Sequence, residues 1–300
     1  MVTSPFLLEN KEGTVSYEDM KKILLILLFI LPVTASEWKM VWNDEFNKNG
    51  APDPKKWTYE EGFIRNQEDQ YYTKNRRLNA RVEKGVLIIE AHKEKYKNKQ
   101  FTSKTAPEWQ KNRPHAEYTS ACLVTQGISA WKYGKVEIKA KLPIKKGAWP
   151  AFWMMGTDIP KVDWPRCGEI DIMEHVTSHP GMVHGTVHWP ASAEETRAQN
   201  KGEKIKAENL DDWHTYTMEW DEKMISFSFD GKKYGEVSLN QMNGSVPEGM
   251  GDERNPFKKP FYLLINLAVG GAWGGPPDPN VFPQQLVLDY VRIYQKVEKK

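Results

Sequence analysis

Strict alternation of apolar and polar side chains is what most narrows the folds open to this 300-residue chain. It runs through residues 136–142, 216–220, 225–229 and 287–294, and a period of two belongs to a half-buried β-strand. Helical periodicity is nearly absent beyond residue 36. Further strands are expected over 39–46, 86–92, 118–125, 168–176, 182–189 and 261–268, with turn signals such as Asp230-Gly231 between them. About a dozen antiparallel strands, with neither a domain boundary nor an internal repeat, imply an all-β sandwich or barrel. Residues 94–116, 190–212 and 240–259 are polar and rich in Lys or Gly, and read as long surface loops of the kind that rim a functional face.

Composition narrows the function. With 39% hydrophobic and 27% charged residues the chain is globular, neither disordered nor fibrous, and long enough to bury roughly 70–75% of its unfolded surface. Its 42 basic and 40 acidic residues leave a net charge of +2, and the lysines are scattered among acids and rings, which argues against a nucleic-acid partner. Twelve Trp, twelve Tyr and eleven Phe exceed what one core needs, so some rings can serve as stacking platforms for sugars or bases; the alternative is a ring-rich β core.

Met20-Lys21-Lys22, the apolar run 23–31 and Pro32-Val33-Thr34-Ala35-Ser36 follow the basic, apolar and small-residue order of a secretory signal cleaved after Ala35. The run is too short for a membrane span, which needs about 20 residues, and no later stretch is a better candidate. The alternative for this segment is a buried amphipathic helix. Residues 1–19 carry Glu9, Glu12, Glu18 and Asp19 against Lys11 alone, the wrong charge for the start of a signal. Translation is therefore expected to begin at Met20, and residues 36–300 to form one secreted, monomeric domain. Cys122 and Cys167 are the only cysteines, so a disulfide framework is excluded; one bridge or two buried thiols are both open, with thiols the default.

The most informative stretch is Gly168-Glu169-Ile170-Asp171-Ile172-Met173-Glu174, where carboxylates interrupt an apolar strand. A period of two puts Glu169 and Asp171 on one face and Ile170 and Ile172 in the core, but would turn Glu174 inward. A one-residue bulge near Ile172-Met173 restores Glu174 to the face of the other two. Two glutamates on one face of a rigid strand suit a double-displacement glycosidase, in which one attacks the anomeric carbon and the other protonates the leaving oxygen. Asp171 between them adds a charge that helps hold one acid protonated. The same residues can otherwise be read as an exposed acidic face or as metal ligands.

This stretch, preceded by Trp164-Pro165-Arg166-Cys167, closely resembles the E-x-D-x-x-E motif of glycoside hydrolase family 16, in particular its laminarinase type, which cleaves β-1,3-glucans. Trp42-Asn43-Asp44-Glu45-Phe46, the stretch from Asn66 to Thr73, Gly147-Ala148-Trp149-Pro150-Ala151-Phe152-Trp153, Asn266-Leu267-Ala268-Val269-Gly270-Gly271 and Asp289-Tyr290-Val291-Arg292 extend the resemblance over nearly all of the chain after the signal. It implies a concanavalin-like β-jelly roll of two curved antiparallel sheets with a concave cleft. It also implies that Glu169 is the nucleophile, Asp171 its helper and Glu174 the acid/base, with Met173 separating laminarinase-like members from the unbulged lichenase type. By the same resemblance Trp149, Trp153 and Trp164 line glycone subsites, Asn66, Arg76 and His188 contact sugar hydroxyls, and a structural calcium is held by Glu45, the Gly85 carbonyl and Asp289. For Asp289 the plain alternative is a salt bridge with a neighbouring Lys or Arg. The alternatives for function are a family hydrolase of lichenan, agarose or carrageenan, and a noncatalytic β-glucan-binding protein, which would have lost the acids that this chain keeps.

Trp149 and Trp153, four apart on a strand, share a face, and Trp164 and Trp273 sit in Pro- and Gly-rich loops that present rings; core packing is the alternative for each. His175, His179, His184 and His188 fall within fourteen residues, but no H-E-x-x-H is present and the Pro180-Gly181 turn separates the first pair from the second. No cofactor is expected for catalysis. His188 reads as a sugar ligand or proton partner, and His175 as structural.

Overall fold

The computed structural model describes residues 37–191, 197–239 and 255–297. The expected upstream extension, signal segment and most of the 240–259 loop lie outside the described residues. Of the two units into which the chain divides, the one spanning Trp38–Lys296 holds almost all that is described. Among the described residues no helix is long and apolar enough to cross a membrane.

Among the described residues seventeen strands follow in order: β1 (Glu37–Asp44), β2 (Thr58–Tyr59), β3 (Gln70–Tyr72), β4 (Ala80–Glu83), β5 (Val86–Lys97), β6 (His115–Ser120), β7 (Cys122–Val124), β8 (Gly134–Lys141), β9 (Ala148–Gly156), β10 (Glu169–Glu174), β11 (Met182–Pro190), β12 (Ala198–Lys206), β13 (His214–Trp220), β14 (Met224–Phe229), β15 (Lys232–Ser238), β16 (Phe261–Val269) and β17 (Gln284–Val297). A ten-stranded sheet has the order β15-β14-β13-β8-β17-β5-β6-β3, with β1 added on β17 and β4 on β5. A seven-stranded sheet has the order β12-β11-β10-β9-β16-β7-β2.

Alternation decides which face of each strand lies between the sheets. Val136, Ile138 and Ala140 of β8 and Tyr216, Met218 and Trp220 of β13 belong to one cluster with Phe152 and Met154 of β9, Ile170 and Ile172 of β10 and Leu263, Ile265 and Leu267 of β16. Each large side chain so buried contributes about 1.5–3 kcal/mol, and a one-residue slip of any strand would carry its whole set to the other face. The register of the site-bearing sheet is therefore pinned by the core behind it. This is the jelly-roll sandwich that the family resemblance implies.

Three details depart from the sequence reading. The 190–212 stretch contains β12, an edge strand paired with β11 along its whole length; most of its side chains are exposed, so it carries no alternation to read. The expected strand over 118–125 is two, because the chain passes at Ala121 from β6 in the larger sheet to β7 in the smaller one, and burial on both sides of the crossing hides the break. One pair, β3 with β6, is parallel. Cys122 and Cys167 are buried free thiols. Burial, helped by nearby carboxylates, pushes Cys167 up to about 12.

Candidate active site

Glu169, Asp171 and Glu174 lie on β10, flanked by β9 and β11 in the interior of the seven-stranded sheet. Unbroken alternation would drive Glu174 into the apolar layer, where an ionised carboxylate without partners is prohibitively costly. The register avoids this. Against β11, Asp171 pairs with Thr186 and Glu174 with His184, so three steps on β10 match two on its neighbour. Against β9, Asp171 pairs with Trp153 and Met173 with Phe152, and Ile172 is skipped. The single extra residue sinks both Ile172 and Met173 into the core, at 1% and 0% exposure, and returns Glu174 to the face of the other two acids.

A cavity of about 420 Å³ opens on that face. Its walls are the three acids, Trp149, Ala151, Trp153 and Met155 of β9, Tyr262 and Asn266 of β16, Trp164 and Ile159 from the β9–β10 connection, and Glu60, Ile64, Arg65, Asn66 and Glu68 from the segment between β2 and β3. The alternate residues of β9, Ala148, Phe152 and Met154, belong to the core, so this wholly apolar strand has one face in each environment.

Hydrogen bonds hold the walls. Trp149 Nε1 donates to Glu174 Oε1 at 3.0 Å. Trp153 Nε1 donates to Asn266 Oδ1 at 2.7 Å, Asn266 Nδ2 to the Tyr72 hydroxyl at 3.0 Å, and that hydroxyl to Glu68 Oε2 at 3.2 Å. The Arg65 guanidinium lies over the Trp153 ring, 4.9 Å from its centroid, and is ion-paired with Glu60. His188, directly across from Glu169 in the ladder, places Nε2 3.1 Å from Asp171 Oδ2 and 3.9 Å from Glu169 Oε1. Trp164, 43% exposed, tilts over the His188 ring at 6.4 Å.

Burial raises all three acids, but unequally. Glu169 is pushed up to about 8 by burial and the Asp171 charge, opposed by His188, Arg65 and the Trp164 indole. Asp171 is pushed up to about 7 by burial, opposed by its hydrogen bond with Glu169. Glu174 goes furthest above the carboxylate range, because burial is joined by repulsion from both other acids, with the Trp149 indole opposing. As a coupled set, the trio gives up its first proton at the Glu169–Asp171 end and its last at Glu174. One strand thus presents acids of unequal proton affinity to the same cavity.

Residues 67–291 match the description of glycosyl hydrolases family 16. The chain is 44% identical over 271 residues to a beta-glucanase of Rhodothermus marinus, covering 88% of this chain and 87% of that protein. The X-ray structure of the laminarinase from Rhodothermus marinus superposes with a TM-score of 0.74 at 43% identity, over 88% of this chain and 100% of that one. A further structure, from work on endo-acting O-glycanases with which human gut microbiota initiate mucin breakdown, superposes with a TM-score of 0.79 at 40% identity, over 88% and 92% of the two chains. The chain belongs to glycosyl hydrolase family 16. It is a glycoside hydrolase.

Of the residues carried over from that family, Asn66, Trp149, Trp153 and Trp164 line the cavity and His188 reaches its acids. Trp273 stands at its Glu174 end, edge-on to Trp149 at 5.5 Å and to His184 at 5.0 Å. His175, 1% exposed, spends Nδ1 on the Met182 carbonyl at 2.8 Å, a packing role. Arg76 is not among the lining residues. Its guanidinium is held by Glu94, with Nη2 at 2.9 Å from Oε2, and by Asn79, so its charge is spent on the neighbouring sheet. The arginine that lines the cavity is Arg65, which sequence reasoning passed over although it immediately precedes Asn66. Its position follows from a tight bend in which Asn66 and Gln67 adopt φ of 55° and 51°.

The calcium expectation does not fit the side chains as placed. Glu45 receives Nε and Nη2 of Arg292 at 2.9 and 2.8 Å, which holds its carboxyl below the usual range. Asp289 meets Lys139 Nζ at 2.8 Å, its plain salt-bridge reading. Gly85 supplies a left-handed turn, φ +80°, between β4 and β5. Calcium requires six to eight oxygens with net negative charge, and here a guanidinium and an ammonium already occupy the two carboxylates.

Proposed function

We propose that the chain is an endo-β-1,3-glucanase of laminarinase type, with some action on mixed β-1,3/1,4-glucan, working by double displacement. The observation that carries this reading is the β10 bulge, which gathers Glu169, Asp171 and Glu174 on one face while their proton affinities diverge. Glu174 gives its proton to the leaving glycosidic oxygen as the Glu169 carboxylate attacks the anomeric carbon, forming a glycosyl ester and releasing the reducing-end fragment. Glu174, now a carboxylate, takes a proton from the water that displaces Glu169, and two inversions leave the configuration retained. His188, Arg65 and the Trp164 indole favour the ionised form of Glu169 that the attack needs. The faces of Trp149, Trp153 and Trp164 offer apolar surface to pyranose C–H faces, while Asn66 and His188 offer polar contacts to hydroxyls.

The β-1,3-glucan assignment is supported by the beta-glucanase and laminarinase relatives. A second reading, cleavage within mucin O-glycans, is supported by the higher structural similarity to the O-glycanase chain. We also place the protein beyond the cytoplasmic membrane, extracellular or periplasmic, as a monomer whose residues 20–35 are removed as a signal and whose catalytic domain is 36–300, on the basic–apolar–small order of that segment.

The test is reducing-sugar release and product size from laminarin, barley β-glucan, lichenan, agarose, carrageenan and mucin O-glycans, for wild type and Glu169→Gln. Oligosaccharides from laminarin that vanish in the variant are expected. Release from mucin O-glycans or a galactan alone would replace the substrate and keep the mechanism, and binding without cleavage would make the protein a recognition module.

A further inference from the structure

We propose that Glu169, Asp171 and His188 form a site for a zinc-class divalent cation, and that the bound cation shuts the catalytic cavity. One carboxylate oxygen of each acid and one ring nitrogen of His188 can be chosen so that all three lie within 4.8 Å of one another. His188 Nε2 is 3.1 Å from Asp171 Oδ2 and 3.9 Å from Glu169 Oε1. A tetrahedral zinc with bonds of about 2.0–2.2 Å places its ligands roughly 3.3–3.6 Å apart, so the Asp171–His188 pair is already close to that spacing and the Glu169 carboxylate must draw in towards it.

The site is built, not a surface accumulation of acids. Asp171 is only 3% exposed, and its Oδ2 is buried without a hydrogen-bond partner, although His188 Nε2 comes within 3.1 Å of it. A buried acceptor so placed is normally satisfied, and a cation at this point would satisfy it. The backbone holds the ligands: Glu169 faces His188 across the β10–β11 ladder, and Asp171 is one pleat further on the same face. The fourth position opens on the cavity, where a water or a sugar oxygen completes the sphere.

The donor set chooses the metal. One imidazole and two carboxylates suit zinc or copper, whereas calcium would find too few oxygens and magnesium would keep its octahedral water shell. This set differs from the four-histidine cluster weighed in the sequence, of which it uses His188 alone. Once a cation holds Glu169 Oε1, that oxygen cannot attack a sugar, so the cation competes with saccharide. This last step rests on the reading of Glu169 as nucleophile, whereas binding itself does not.

The test is calorimetric titration of zinc chloride into the full chain at neutral pH, after chelator treatment and removal of the chelator. Calcium and magnesium chlorides serve as comparison, and His188→Gln and Asp171→Asn are titrated alongside. Circular dichroism confirms that each variant is folded. One zinc per chain is expected, with affinity weakened about tenfold or more in both variants, since loss of a direct ligand exceeds loss of an outer-shell partner. No matching calcium or magnesium heat is expected. Absence of zinc binding, or equal affinity in wild type and a folded variant, would overturn the site. Zinc should raise the apparent KM for laminarin without lowering kcat. Zinc bound at this site with hydrolysis undisturbed would overturn the blocking claim, and a chain that binds zinc yet cleaves no polysaccharide would instead sink the proposed function.

Discussion

Deleting Met173 tests the bulge most severely, because the structure says in advance what the strand should do. Without that residue β10 reads Glu169-Ile170-Asp171-Ile172-Glu174, a perfect alternation. Asp171 would still oppose Trp153 and Thr186, Ile172 would take Phe152 and Gly185, and Glu174 would keep Ala151 and His184, so neither neighbouring strand has to slip. All three acids stay on the cavity face. What is lost is one fully buried methionine side chain, 0% exposed in the main core. Truncating such a side chain to alanine costs about 2–5 kcal/mol, and closing the strand over the gap recovers part of it, which leaves roughly 2–3 kcal/mol. At about 2–4 °C per kcal/mol for a domain of this size, the melting temperature should fall by roughly 4–12 °C. Hydrolysis should persist, with the ratio of laminarin to barley β-glucan activity altered, since the backbone beneath the cavity changes pitch. Removing Ile172 and Met173 together reverses the parity, turns Glu174 inward, and should leave a protein as inactive as Glu174→Gln. Melting curves and rates on both glucans read the outcome. A folded single deletion with no more activity than Glu174→Gln, or an active double deletion, would refute the argument from strand parity.

Trp149→Phe keeps a ring on the cavity wall but removes the donor to Glu174 Oε1. A hydrogen bond to a charged group is worth about 1.5–3 kcal/mol, and it holds Glu174 down, so its loss should carry the alkaline limb of the kcat/KM profile upward by about 1–2 pH units; an unmoved limb would remove Trp149 from the proton chemistry. Arg65→Met combined with Glu60→Gln, which avoids leaving a half-buried carboxylate unpaired, removes a charge that favours ionised Glu169. The acidic limb should therefore also move to higher pH, and KM should rise several-fold as the Trp153 platform loses its support; profiles on laminarin check both. Because Arg292 and Lys139 occupy Glu45 and Asp289, adding calcium chloride to the chelator-treated protein should leave the melting temperature unchanged. A rise of several degrees would mean that calcium displaces those cations and belongs to the fold.

What could be read from the sequence is what depends on neighbours along the chain. Alternation exposed the long strands, and the parity of three acids among isoleucines was enough to place the bulge between Asp171 and Glu174. The four-residue spacing of Trp149 and Trp153 was enough to put both on one face, although every residue of β9 is buried. What escaped depends on partners distant in sequence. β12 has solvent along most of its side chains and carries no pattern, while the crossing at Ala121 is masked by burial on both sides. Arg76 and Arg65 are chemically identical, and only the fold reveals that Glu94 captures one and that Glu60 and the Trp153 ring hold the other at the cavity. Glu68, in a stretch that resembles the family, lines the cavity yet is 2% exposed and bound by Gln70 at 2.6 Å, a structural acid that burial raises.

The central claim is that Glu169 and Glu174 act as nucleophile and acid/base in a double displacement. It is tested most directly by proton NMR of the first products released from laminarin, before mutarotation blurs them. The account predicts that the new reducing ends appear first as the β-anomer and equilibrate toward the mixture with time. Immediate appearance of the α-anomer would mean a single displacement by water, and would contradict the roles given to both glutamates.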